Sequence, residues 1–153
     1  MDFSGVVESV RKNVTRFKPR AVFGGRQGAL AEYLAVAEQR LVKKPENTSF
    51  EQAGAVNMAA KTARQALRAK LQPGRKVLIN GASGGVGTFA VADRQAAGRE
   101  VTGVRSGRNT ELLRSLGADH TIEYSRTTPR VARNTTWSST TSGTTRSRQT
   151  DAC

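Results

Sequence analysis

Residues 74–98 read Gly-Arg-Lys-Val-Leu-Ile-Asn-Gly-Ala-Ser-Gly-Gly-Val-Gly-Thr-Phe-Ala-Val-Ala-Asp-Arg-Gln-Ala-Ala-Gly. The run predicts a short apolar strand over Val77 to Ile79, a glycine-rich turn, and a helix closed by Gly98. In that order the pieces make a phosphate cradle. Gly81 ends the strand in a tight turn, Gly84 lets backbone approach a pyrophosphate, and Gly87 lets the helix lie close on the sheet. The amides that open the helix then face the anion. A second strand, Glu100 to Val104, follows where a βαβ unit requires it. A glycine cluster by itself also makes ordinary loops. The flanking strand and helix are what make this one a dinucleotide-binding segment.

The end of the second strand reads the nucleotide's identity. An Asp or Glu there would bind the 2′-hydroxyl of NAD, and basic residues accommodate the 2′-phosphate of NADP. This chain has Arg105-Ser106-Gly107-Arg108-Asn109. Arginine forks match phosphate geometry, so NADPH is the expected cofactor. A solvated basic loop is the plainer alternative in a chain this basic.

A length of 153 residues allows one ordinary domain or two small ones. No apolar stretch approaches the length needed to span a bilayer, and the first residues lack a signal-peptide pattern, so a cytoplasmic protein is expected. Cys153 is the one cysteine and His120 the one histidine, too few for a disulfide, a structural zinc or a histidine-based triad. The formal charge of +13 raises a basic nucleic-acid-binding module as an alternative. Against it, the excess is spread along the chain and few aromatics interleave with it.

Elsewhere the pattern is β-rich up to residue 45: alternation over Phe3 to Val10, then Ala21 to Phe23, Leu30 to Val36 and Leu41 to Val42. At Thr48 the period becomes helical. Thr48 with Glu51, or Ser49 with Gln52, makes a capping box, and Phe50, Ala53, Val56, Ala60, Ala63 and Leu67 follow at helix spacing. Gln72-Pro73-Gly74 stops that helix. Asn109 is placed to cap another helix ended by Gly117, and His120 to Tyr124 reads as a third strand. From Arg126 onward there are nine threonines, four serines and five arginines, with Val131 and Trp137 the large apolar groups. Such a tail buries too little to fold and is expected to be disordered.

With these residues in view, the chain resembles the zinc-independent quinone oxidoreductase (zeta-crystallin-like) branch of the medium-chain dehydrogenase/reductase superfamily. The resemblance runs from Met1 to about Ser125. It is carried by Asp2-Phe3-Ser4-Gly5-Val6-Val7-Glu8, Gly28-Ala29-Leu30-Ala31-Glu32-Tyr33, Leu71-Gln72-Pro73-Gly74, the Gly81 to Gly87 turn and Leu113-Arg114-Ser115-Leu116-Gly117-Ala118-Asp119. It implies an α/β fold: a partial GroES-like β domain (1–47), connecting helices (48–73), a truncated parallel βαβαβ Rossmann domain (74–125), and a disordered or frameshifted tail (126–153). It implies hydride transfer from NADPH to a quinone or an α,β-unsaturated carbonyl, with an enoyl-thioester reductase of the same superfamily as the alternative. Carried over as cofactor contacts are Gly81, Ala82, Ser83, Gly84, Gly85, Val86 and Gly87, with Arg105, Ser106 and Arg108 near the 2′-phosphate and Thr62 near the nicotinamide. Thr62 reads equally well as a packed helix residue. Catalytic residues are not assigned. Zinc-dependent relatives carry a histidine and a cysteine near the places of Met1 and Met58, and neither methionine is a zinc ligand type.

The resemblance also exposes departures. Family members continue before the place of Met1, which is expected to be an internal methionine, and three strands fall short of the six-stranded Rossmann sheet. A homodimer is expected of an intact version. Pro19-Arg20-Ala21 lacks the family's turn glycine. On the first Rossmann helix Val86, Ala90 and Ala97 are expected to face inward, and Asp93 falls on that stripe. Unpaired, it would cost several kcal/mol, on the order of the burial penalty for a charge, unless it turns out to pair with an arginine. Thr135 to Gly143, encoded with suitable codons and preceded by a guanine, reads Asp-Asp-Val-Val-Phe-Asp-Asn-Val-Gly in the neighbouring frame. That resembles the family's next strand, so a frameshift near Ser125 to Thr127 is expected, and the chain is expected to be inactive.

Overall fold

The computed structural model describes residues 1–17, 20–68, 76–123, 135–141 and 144–149. The chain divides into two compact units, Met1–Lys61 and Thr62–Cys153. In the first unit β1 (Asp2–Val6), β2 (Ala21–Gly25) and β3 (Leu41–Lys43) pair antiparallel in chain order. The ladder runs from Asp2 opposite Gly25 to Val6 opposite Ala21, so the alternation expected to reach Val10 stops where β2 begins. Leu30 to Val36 forms no strand. A strand needs an edge to pair with, and among the described residues none takes this stretch, leaving Leu30 90% and Tyr33 70% exposed.

The helical region opens on Ser49, whose side chain accepts from the Gln52 amide at 3.1 Å while Gln52 Oε1 accepts from the Ser49 amide at 2.9 Å. This reciprocal pair is the second of the two capping boxes read from the sequence. The Glu51 carboxyl beside it is held below its ordinary range, chiefly by hydrogen bonding to Ser49. One helix was expected through Leu67, and two form: α1 (Phe50–Gly54) and α2 (Asn57–Arg68). The break has a cause. Asp2 accepts from the Met58 amide at 2.7 Å, a backbone donor that a new helix start leaves over, and from the Asn57 side-chain Nδ2 at 3.3 Å.

The second unit holds a five-stranded sheet in the order β6-β5-β4-β7-β8. β4 (Lys76–Asn80), β5 (Val101–Arg105) and β6 (His120–Glu123) are parallel, joined through α3 (Gly85–Ala96) and α4 (Thr110–Ser115). Their apolar residues make the core: Val77 and Ile79 of β4, Val101 of β5, Ala90 and Val91 of α3 and Leu113 of α4, together with Ala63 and Leu67 of α2. Each fully buried aliphatic side chain contributes about 1.5–3 kcal/mol. Both connecting helices end as their glycines require. Gly98 (φ +65°) and Gly117 (φ +91°) donate to Gln95 and Arg114, and the residues after them, Arg99 and Ala118, donate to Arg94 and Leu113.

Three details differ from expectation. Ala97 is the exposed C-cap of α3, so the buried face is Gly87, Ala90 and Val91. Asp93 turns out and pairs with Arg94, the milder of its two expected fates. Asn109 makes no side-chain cap, because Gly107–Asn109 is wound into a 3-10 turn that feeds directly into α4.

Two further strands, β7 (Thr135–Thr141) and β8 (Thr144–Gln149), extend the sheet where the sequence predicts no packed element. Threonine, serine and tryptophan tolerate or favour extended backbone, and β4 offers an edge of unpaired amides and carbonyls. Leu71-Gln72-Pro73-Gly74, Lys18-Pro19 and Tyr124 lie outside the described residues.

Candidate dinucleotide site

The site grows from the carboxyl end of β4. Asn80 leads into Gly81, whose φ of +70° lies where a side chain is rarely tolerated, and the chain reverses there. The Gly84 amide donates back to the Gly81 carbonyl at 3.0 Å, closing the turn, and the buried Ala82 donates to the Val104 carbonyl at 3.0 Å, tying the turn to β5. α3 begins at Gly85, with Gly84 as an extended N-cap that offers no side-chain acceptor. Its first intrahelical bond runs from Thr88 to Gly84 at 2.9 Å. The amides of Gly85, Val86 and Gly87 therefore have no acceptor within the helix and point from its N-terminus with the positive end of the helix dipole.

Gly87 sits hard against the turn. A Cβ there would meet Ala82 Cα and carbonyl carbon at 2.7 Å and the Gly81 carbonyl oxygen closer still. Gly85 has nothing within 4 Å of the same position, and Gly84 and Gly85 are exposed. Gly87 is thus needed for packing, Gly85 leaves open space over the amides, and a Cβ on Gly84 would stand 3.3 Å from the Gly81 carbonyl oxygen.

At the end of β5 the three candidate phosphate residues part company. Ser106 and Arg108 are exposed. Arg105 is 8% exposed, with Nη1 donating to the Ser106 carbonyl at 2.8 Å and Nε left without a hydrogen-bond partner. A buried guanidinium nitrogen without an acceptor fits an anion held at this corner, as do the open amides of α3. The residues present therefore suit a dinucleotide. The sequence did not foresee Glu123, at the end of β6, whose carboxylate would lie 2.9 Å from a Cβ on Gly107. It sets a negative group beside the Ser106–Arg108 loop. Thr62 lies half-buried on α2, next to Ala63 of the core.

Other polar groups do structural tasks. Asp119 accepts from the Val101 amide at 2.7 Å, fixing the entry of β6 to that of β5, and Lys76 pairs with Glu100 at 2.8 Å. A depression of about 680 Å³ lined by Gln95, Arg99, Glu100, Asp119 and His120 lies at this amino end of the strands, away from the glycine turn. Ligands of open parallel sheets bind at the carboxyl ends, so the turn is the better candidate. Among the described residues no three His, Cys, Asp or Glu side chains group as a metal site. No helix there is long and apolar enough to cross a membrane.

Comparison with known proteins follows the same architecture. No family model matches the chain. A quinone oxidoreductase of Coxiella burnetii superposes with a TM-score of 0.76 at 33% identity, over 83% of this chain and 42% of that one. The chain is similar to quinone oxidoreductases of the medium-chain dehydrogenase/reductase superfamily. A zinc-type alcohol dehydrogenase-like protein of Schizosaccharomyces pombe is 39% identical over 137 residues, covering 80% of this chain and 39% of its own length. An Arabidopsis thaliana protein named as a chloroplastic NADPH-dependent alkenal/one oxidoreductase is 35% identical over 139 residues, 82% of this chain and 36% of its own. This quinone oxidoreductase relative thus spans about two-fifths of the length of the curated proteins it matches.

Proposed function

We propose that this chain carries the nucleotide-binding part of an NADPH-dependent oxidoreductase that passes hydride to a quinone or an α,β-unsaturated carbonyl. The observation that carries it is the turn from Gly81 to Gly87, with its positive φ, its close approach at Gly87 and its three open amides. Gly84 and Gly85 admit the pyrophosphate, and the Gly85, Val86 and Gly87 amides donate to it. Ala82 and Ser83 shape the wall of the turn. Ser106 and Arg108 receive the 2′-phosphate, with Arg105 behind them, and Thr62 lies toward the nicotinamide. When bound, NADPH supplies the hydride, and the protein's part is to hold and orient it.

The substrate class rests on relatives named for quinones and for alkenals and enones. A second copy as partner in a longer version, and a cytoplasmic setting for a chain with one cysteine, belong to the same reading.

Glu123 makes the cofactor preference testable, because a carboxylate near the loop disfavours phosphate and Arg108 favours it. Calorimetric titration of the whole chain should show NADPH binding more tightly than NADH. Arg108→Ala should weaken NADPH about tenfold, near 1.4 kcal/mol, and leave NADH almost unchanged. NADH binding as tightly as NADPH would overturn the 2′-phosphate assignment.

A further inference from the structure

β7 lies parallel to β4, with Lys76 opposite Thr135 and Asn80 opposite Ser139. Taken in chain order, the parallel strands cross the sheet as third, second, first, fourth, the arrangement of a dinucleotide-binding sheet. β7 is an inner strand, with β4 on one side and β8 on the other. Inner strands of such sheets read as near-continuous apolar runs. β4 obeys this with Val77, Leu78 and Ile79, each 3% exposed or less. The residues of β7 do not: they are Thr-Thr-Trp-Ser-Ser-Thr-Thr. Place and composition disagree.

We infer that β7, Thr135–Thr141, is the fourth strand of this sheet translated out of frame. The genetic code reconciles place and composition. Every threonine codon begins AC, tryptophan is TGG, and the six-fold serine set includes the four TC codons. Reading one base early makes the first two bases of each codon the last two of the shifted one. Trp137, Ser138 and Ser139 then give three successive codons with thymine in the middle. Such codons encode Phe, Leu, Ile, Met or Val whatever the first base, and here the second of the three is fixed as Val. The threonines on either side give codons ending in AC, which encode Asp, Asn, His or Tyr. Ser142 gives another apolar residue. The shifted stretch is therefore two polar residues, an apolar triplet, two polar residues and one more apolar residue, with no stop codon. Given TC codons at the three serines, this holds for any third bases.

The apolar triplet falls on Trp137–Ser139, the positions opposite Leu78, Ile79 and Asn80 of β4. One detail of the sequence expectation changes. Codons for Asn134 end in C or T, so the residue opening the shifted strand is His or Tyr, and the guanine that would make it Asp is not available.

Sequencing of the gene and its transcript over codons 120–153 tests this. The expected result is TC codons at Ser138, Ser139 and Ser142, and a shifted frame that stays open beyond codon 153. An AG codon at Ser138 or Ser139 would put Lys, Gln, Glu or a stop in the strand and overturn the inference, as would a stop elsewhere in the shifted frame. Neither result depends on whether the protein binds NADPH.

Discussion

Replacing Gly87 with alanine tests the turn at its tightest point. The added methyl would sit 2.7 Å from two backbone carbons of Ala82, with the Gly81 carbonyl oxygen nearer still. Carbon contacts are comfortable at about 3.5–4.0 Å, so the start of α3 and the turn must part by roughly 1 Å. No side chain can swing aside to make the room, because the obstructing atoms are backbone. α3 also buries Ala90 and Val91 against the sheet, so lifting its first turn loosens core packing as well. Overpacking of this kind costs about 3 kcal/mol at the upper end of its usual range. For a unit of this size that lowers the melting temperature by roughly 10–25 °C. Gly85→Ala is the control, since open space surrounds its Cβ direction, and it should leave stability level or raise it by up to about 1 kcal/mol. Thermal unfolding followed by circular dichroism reads both. Equal melting temperatures for Gly87→Ala and the parent, or equal losses in the two variants, would refute the packing argument.

Two further substitutions probe the helix ends. Ser49→Ala removes one half of the capping box and should cost about 1 kcal/mol in denaturant unfolding. In the same variant the Glu51 carboxyl should titrate closer to its ordinary value by NMR. Its folded value is depressed, so the stability it adds is present above the unfolded value and fades as pH falls through the folded one. Gly117→Ala forces a side chain to φ +91° and into Gln95, and should lower stability by about 1–2 kcal/mol in the same denaturant titration.

The strand, turn and first helix of the second unit were legible because each glycine there answers a backbone demand that no other residue meets. The same logic located Gly98 and Gly117 as helix stops. Leu30 to Val36 failed because alternation records only that a strand could form, and pairing depends on an edge elsewhere in the chain. The break between α1 and α2 depends on Asp2, which lies 55 and 56 positions from the two groups it bonds. No local pattern reports so distant a cap, although an acid two residues into a β-rich segment marks a candidate. The resemblance places Arg105 near the 2′-phosphate, and its burial goes with its place as the last residue of β5, a strand flanked by β6 and β4. Glu123 reaches the loop because β6 lies beside β5 in register, Arg105 opposite Glu123. That is a fact of topology that spacing along the chain does not carry.

Whether the turn from Gly81 to Gly87 holds a pyrophosphate is decided most directly by an NADPH titration of the parent chain beside Gly84→Asp. Gly84 is exposed at an ordinary φ of −80°, and its new Cβ would stand 3.3 Å from the Gly81 carbonyl oxygen, a contact relieved by a shift of a few tenths of an ångström, so the substitution adds a negative charge over the open amides at small cost. The account predicts saturable binding by the parent and none by the variant, with both chains melting within a few degrees of each other, about the shift expected for 1 kcal/mol or less. Equal NADPH affinity in the two chains, or none in a folded parent, would contradict it.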